Sequence, residues 1–148
     1  MLISGSTKVF ALFGDPVTHS LSPIMQNAAF RALQLDCCYV SFLVRQDSLA
    51  AAVIAVRELN LGGVNITIPH KERVLAYLDQ VDERALQIGA VNTIVNQDGH
   101  LCGYNTDASG FLPSSQPFSL LFQNLQRVAA RPVTGDLLYR CGRHRLLG

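Results

Sequence analysis

A lysine that follows two same-facing polar side chains is the feature of this sequence with the clearest chemical use. In the run Gly63-Val64-Asn65-Ile66-Thr67-Ile68-Pro69-His70-Lys71, a strand over Val64 to Ile68 turns Val64, Ile66 and Ile68 to one face and Asn65 and Thr67 to the other. Pro69 ends the hydrogen-bond ladder and is expected to open a helix with Lys71 in its first turn. An ammonium there opposes the positive end of the helix dipole, so stability alone is a poor reason for it. An amide, a hydroxyl and an amine in that order can hold adjacent alcohols of a polyhydroxylated ring and pass a proton to or from one of them. Asn65 and Thr67 alone are also compatible with the wet face of a sheet.

Two further places supply matching groups. Ser20 and Ser22 flank Leu21 ahead of Pro23. Ser22 can be a helix cap and Ser20 a solvated loop residue, or the two hydroxyls can grip a carboxylate at a helix N-terminus, where backbone N–H groups favour anions. Val91 to Asn96 and His100 to Tyr104 flank Asp98-Gly99, a two-residue hairpin signal. Antiparallel pairing there brings Asn92 near Asn105, Thr106 and Asp107. Lys71 with Asp107 is a candidate proton-transfer pair in which either group can be the formal base. A neighbouring carboxylate favours the ammonium while desolvation and a helix start disfavour it, and the sequence leaves the balance open. His19, His70, His100 and His144 have no spacing that points to a shared metal, and no metal site is expected.

Positioning these side chains takes an alternation of strands and helices. Val9 to Phe13, Cys37 to Val44 and Val64 to Ile68 read as strands. Between the first two, Ser22-Pro23 opens a helix with Ile24, Met25, Ala28, Ala29 and Leu33 at helical spacing. Asp47 or Ser48 caps a second helix with Leu49, Val53 and Val56 on one face. The helix after Pro69 carries Val74, Leu75 and Leu78, and a short helical stretch covers Asp82 to Gln87. Such alternation followed by a hairpin implies a three-layer α/β/α fold whose mainly parallel sheet contains one antiparallel strand. The candidate residues then gather at the carboxyl edge of the parallel strands, where open α/β sheets bind ligands.

The 148 residues, 49% of them hydrophobic, suffice for one globular core. A net charge of +1 hides an asymmetry: residues 1–111 carry 7 Lys and Arg against 10 Asp and Glu, whereas residues 112–148 carry 5 Arg against 1 Asp. Those arginines are scattered among Pro, Gly and Leu, so no nucleic-acid partner is expected. The N-terminus lacks the pattern of a signal peptide and no stretch is long enough to span a bilayer, so the expected location is cytoplasmic, with no membrane partner. Cys37, Cys38, Cys102 and Cys141 show no C-x-x-C spacing and read as buried free thiols.

Four stretches resemble the shikimate dehydrogenase family and occur in its order. GDPVTHSLSPIMQN runs from Gly14 to Asn27, GVNITIPHK from Gly63 to Lys71, GAVNT from Gly89 to Thr93, and GYNTDASGF from Gly103 to Phe111. The resemblance covers the family's substrate-binding half, roughly Lys8 to Phe111, with Gln26 standing where histidine is usual. It implies that Ser20 and Ser22 hold the carboxylate of shikimate or 3-dehydroshikimate. By the same resemblance Asn65, Thr67 and Asn92 bind ring hydroxyls, and Lys71 and Asp107 are the catalytic residues for reversible oxidation of the 3-hydroxyl with hydride passing to NADP. Serine rather than threonine at position 22 favours shikimate over quinate.

The resemblance ends after Phe111. No two of the eleven glycines are separated by a single residue, so this sequence contains no G-x-G-x-x-G turn for a pyrophosphate. The residues after Phe111 are too few for a second domain of ordinary size. The expected organisation is a substrate-binding domain over 1–111 and an atypical basic tail over 112–148, poorly ordered, truncated or frame-shifted, with a short helix over Phe118 to Val128. On this expectation the chain binds no cofactor, although NADP serves the full-length family, and turnover needs a cofactor domain in trans. A regulatory module binding shikimate or quinate and a nonfunctional fragment are the alternatives.

Overall fold

The computed structural model describes residues 2–107. The expectations placed on the tail over 112–148, its poor order and the short helix over Phe118 to Val128 included, lie outside the described residues.

Three parallel strands form one half of the sheet, with β1 (Lys8–Gly14) between β2 (Cys37–Leu43) and β3 (Gly63–Ile66). β5 (Thr93–Gln97) runs antiparallel to β3, and β6 (His100–Tyr104) antiparallel to β5. A two-residue strand, β4 (Gln80–Val81), lies parallel to β6 and completes the order β2-β1-β3-β5-β6-β4. Among the described residues β5 alone runs against the rest, as the sequence pattern implies. The hairpin turns through Asp98 and Gly99, whose φ angles of 53° and 91° are the left-handed values that a two-residue connection favours. β4 is too short to leave a periodic signal and was not expected.

Period-two alternation along β1 feeds two cores. Phe10 and Leu12 pack with Phe30 of α1 (Ser22–Ala32), Cys37 and Tyr39 on one face. Ala11 and Phe13 share the other with Leu49, Val53 and Val56 of α2 (Leu49–Glu58), and with Val64, Ile66, Val74 and Ile94. Helices thus cover both faces, and the three-layer expectation holds. Asp82 caps α3 (Glu83–Ile88) by accepting from the Arg84 N–H at 3.1 Å, and Gly89 closes it in the left-handed conformation. No helix among the described residues is long and apolar enough to cross a membrane.

Four local expectations need correction. Ile24 and Met25 of α1 and Leu33 at its C-cap are exposed, while Gln26 and Phe30 are buried. The helix docks through Phe30 and through Asn27, which donates to the Tyr39 carbonyl at 2.8 Å and accepts from the Tyr39 N–H at 2.9 Å, so a polar clamp on the outer sheet strand helps set its rotation. Ser22 is the first helical residue rather than the cap; Leu21 occupies the cap position without a side-chain bond. Neither Asp47 nor Ser48 makes a capping bond for α2, because Gln46–Ser48 is already a 3-10 turn leading into it.

The fourth correction concerns Lys71. Pro69 opens no α-helix; the chain turns through residues 67–70, with the His70 N–H bonded to the Thr67 carbonyl at 3.0 Å. A 3-10 segment then follows over Arg73–Tyr77. Lys71 therefore precedes the helical segment and does not oppose its N-terminus. His70 accounts for the turn, since its fully buried ring lies with Nε2 2.6 Å from the Val44 carbonyl and must donate to it. β3 also stops at Ile66, leaving Thr67 just beyond the strand, although its N–H still donates to the Phe13 carbonyl at 3.0 Å.

A buried asparagine ties α2 to the hairpin. Asn96 Nδ2 donates to the carbonyls of Val56 (3.1 Å) and Leu61 (2.8 Å), and its Oδ1 accepts from the Gly99 N–H (2.8 Å). Asn96→Ala would take this partner from the Leu61 carbonyl and the Gly99 N–H, while the Val56 carbonyl keeps the Leu61 N–H at 3.0 Å, so a stability loss of about 1–3 kcal/mol is expected in urea unfolding. A loss below about 0.5 kcal/mol would mean that water replaces the amide at little cost.

Candidate active site

At the carboxyl edge of the parallel strands the chain encloses an open cleft of about 460 Å³. All seven candidate residues, Ser20, Ser22, Asn65, Thr67, Lys71, Asn92 and Asp107, line it, though they come from four separate stretches of sequence. Thr106, His19 and the apolar Leu12, Pro16 and Ile66 complete the wall.

Lys71 and Asp107 form an ion pair across the cleft, Nζ to Oδ2 at 2.7 Å. The backbone fixes both ends. The Lys71 carbonyl accepts from the Val91 N–H at 2.8 Å, which ties the turn after β3 to the approach to β5. Asn105 donates to the Ala90 carbonyl at 2.9 Å and accepts from the Asp107 N–H at 3.1 Å, which holds the chain after β6 against the same approach. The carboxylate is more than half exposed, and an ion pair so open to solvent adds little to stability. Its geometry suits another use, because a hydroxyl entering the cleft meets an ammonium and a carboxylate together and can exchange its proton with the pair.

The two asparagines belong to one hydrogen-bonded chain. Asn92 Oδ1 accepts from the Thr106 N–H at 3.0 Å, and its Nδ2 lies 3.0 Å from Thr106 Oγ1. Thr93 Oγ1 donates to Asn92 Oδ1 at 3.0 Å and accepts from Asn65 Nδ2 at 3.2 Å. The buried Tyr39 hydroxyl then donates to Asn65 Oδ1 at 2.7 Å. Strand register makes this possible: Asn65 and Thr93 are direct partners across β3 and β5.

At the other end of the cleft Ser20 Oγ accepts from the Ser22 N–H at 3.2 Å, so the two residues are held together at the start of α1. Gly14 lets the nearby Thr67 in: a Cβ at that position would run into the Thr67 methyl group. Sequence reasoning gave no role to Tyr39 or Thr93, and placed Thr106 near the site without using it. Tyr39 left no signal because it lies two strands away from Asn65 in sheet order, and only the assembled sheet brings them together. Among the described residues no group of three or more His, Cys, Asp or Glu is placed to hold a metal ion.

Residues 12–94 match the family model for the shikimate dehydrogenase substrate binding domain, more than half of the chain. The chain belongs to the shikimate dehydrogenase family. The NADP(+) shikimate dehydrogenase of Desulforamulus reducens is 54% identical over 110 residues, 74% of this chain and 38% of that protein. The one from Methanothermobacter thermautotrophicus is 55% identical over 111 residues, 75% of this chain and 39% of its own length. A Listeria monocytogenes shikimate 5-dehydrogenase crystallised with shikimate and NAD aligns with a TM-score of 0.72 and 43% identity, covering 74% of this chain and 38% of that one. The chain thus spans about two fifths of the length of these shikimate dehydrogenases, and what it shares with them is the substrate-binding domain.

Proposed function

We propose that the cleft binds shikimate or 3-dehydroshikimate and forms the proton-transfer wall of an NADP-dependent shikimate dehydrogenase. The observation that carries this is convergence: two serine hydroxyls, two oriented asparagine amides, a threonine and the Lys71–Asp107 pair line one cleft. Ser20 and Ser22 suit the ring carboxylate, and Asn65, Thr67 and Asn92 suit the ring hydroxyls. Oxidation of the 3-hydroxyl removes a hydride from carbon and a proton from oxygen. The Lys71–Asp107 pair takes that proton, and returns it to the carbonyl oxygen in the reverse reaction.

NADP would supply the hydride chemistry, but the described residues do not fit a dinucleotide. The helix that opens at the cleft, α1, begins Leu21-Ser22-Pro23 with no glycine turn for a pyrophosphate. We therefore assign the cofactor site to a domain outside the described residues, with residues 1–111 as the substrate domain and the basic segment 112–148 apart from it. Cys37 and Cys38 are buried free thiols, which fits a reducing, cytoplasmic compartment. Burial, with Asp36 adding to it, pushes the Cys37 and Cys38 thiols up and keeps them protonated.

Ser22→Ala separates ligand binding from helix capping. Because the Ser22 side chain is not the cap of α1, thermal stability should stay within about 1 °C of the parent, while shikimate affinity in a calorimetric titration should fall about tenfold. An unchanged isotherm would remove Ser22 from the site, and a large drop in melting temperature would return it to a structural role.

A further inference from the structure

We infer that Tyr39 is a positioning residue that fixes which way the Asn65 amide faces in the cleft, an inference that rests on the proposed shikimate site. Tyr39 is absent from the wall of the cleft, so it acts only through the amide it holds.

The direction of the polar chain is set by backbone groups. The Thr106 N–H can only donate, so the Asn92 atom facing it must be the oxygen. Thr93 Oγ1, 3.0 Å from that oxygen, must then give its proton to it, which leaves the Thr93 lone pairs to accept from Asn65. The Asn92 carbonyl, 3.5 Å from Asn65 Nδ2, asks for the same orientation. Asn65 therefore turns its oxygen to Tyr39, and the phenol must donate. Burial pushes the Tyr39 phenol well above its usual value, so it remains a donor throughout the working pH range.

Tyr39 is itself held. Asn27 brackets its backbone N–H and carbonyl, and Asn27 also donates to the Pro23 carbonyl at 2.8 Å, next to the serine that opens α1. The helix carrying Ser22 and the amide of Asn65 are thus referred to one residue of β2. Asn65 Nδ2 is already committed to Thr93 Oγ1 and the Asn92 carbonyl, so what the amide keeps for a ligand is the second lone pair of Oδ1, beside the Tyr39 hydroxyl. A ring hydroxyl that donates to Asn65 keeps its own lone pairs for other donors, and the Lys71 ammonium lines the same cleft.

Tyr39→Phe removes the hydroxyl and keeps the ring. In calorimetric titrations with shikimate it should weaken binding about tenfold in the parent chain, yet change affinity by less than about 1.5-fold in an Asn65→Ala background. Equal losses in both backgrounds, or no loss in the parent, would overturn the positioning role. Proton NMR of the ligand-free chain provides the independent arm: a slowly exchanging Tyr39 hydroxyl proton close to the Asn65 amide is expected, and its absence would overturn the lock even if the variants fail to fold. Should the parent chain show that proton and yet bind no shikimate, the ligand reading falls and with it the positioning role toward a ligand, while the side-chain bond stands.

Discussion

Lys71→Ala, assayed with a dinucleotide-binding domain of the family present, should lower kcat for shikimate oxidation by about a thousandfold and change the shikimate Kd by less than about threefold. The asymmetry follows from when the interaction matters. In the ground state the reacting hydroxyl is neutral, and Asp107, Asn65 and Asn92 remain on the cleft wall to hold the ring. As hydride leaves carbon the oxygen must release its proton, and on the proposed mechanism the ammonium–carboxylate pair at 2.7 Å takes it. Single-turnover rates and equilibrium titration separate the two quantities. Equal losses in rate and affinity would make Lys71 a binding residue, and a rate loss below about tenfold would place the proton transfer elsewhere.

Much of the cleft was legible in the sequence because short-range patterns encode it. Asn65 lies on an alternating strand, and Asp98-Gly99 fixes the hairpin register that places Asn92 beside Thr106, so a few local signals were enough to predict the gathering of distant residues. What failed had long-range causes. The rotation of α1 is set in part by Asn27 meeting the Tyr39 backbone, which no helical periodicity reveals. The turn that carries Lys71 is set by His70 reaching the Val44 carbonyl from another part of the chain. A proline after a strand reads as a helix start until that buried imidazole is accounted for. Tyr39 and Asn96 look like ordinary strand residues in the sequence; their partners lie 26 and 35–40 residues away.

NADP should give no specific binding to the 148-residue chain, even with the cleft saturated by shikimate. A dinucleotide needs backbone N–H groups converging on its pyrophosphate, usually from a glycine-rich turn ahead of a helix. The eleven glycines include no pair at G-x-G spacing. Five arginines after residue 111 can attract phosphates, but attraction of that kind is diffuse and fades as salt screens it. Titration at physiological ionic strength should therefore stay flat, a difference of at least about a hundredfold from the micromolar affinity of a formed site. Saturable micromolar binding by the chain alone would overturn the assignment of the cofactor site to another domain. Binding that emerges only with a second polypeptide would support its supply in trans.

The most direct measurement of the central claim is an NMR titration of the purified chain with shikimate, followed at the backbone amides and at the side-chain amides of Asn65 and Asn92. The account predicts one saturable site, with shifts concentrated at Ser20, Ser22, Asn65, Thr67, Lys71, Asn92 and Asp107, all on the cleft wall. A folded chain whose spectrum does not change up to about 10 mM shikimate, a concentration above even a millimolar Kd, would contradict it, as would saturable shifts centred anywhere else on the surface.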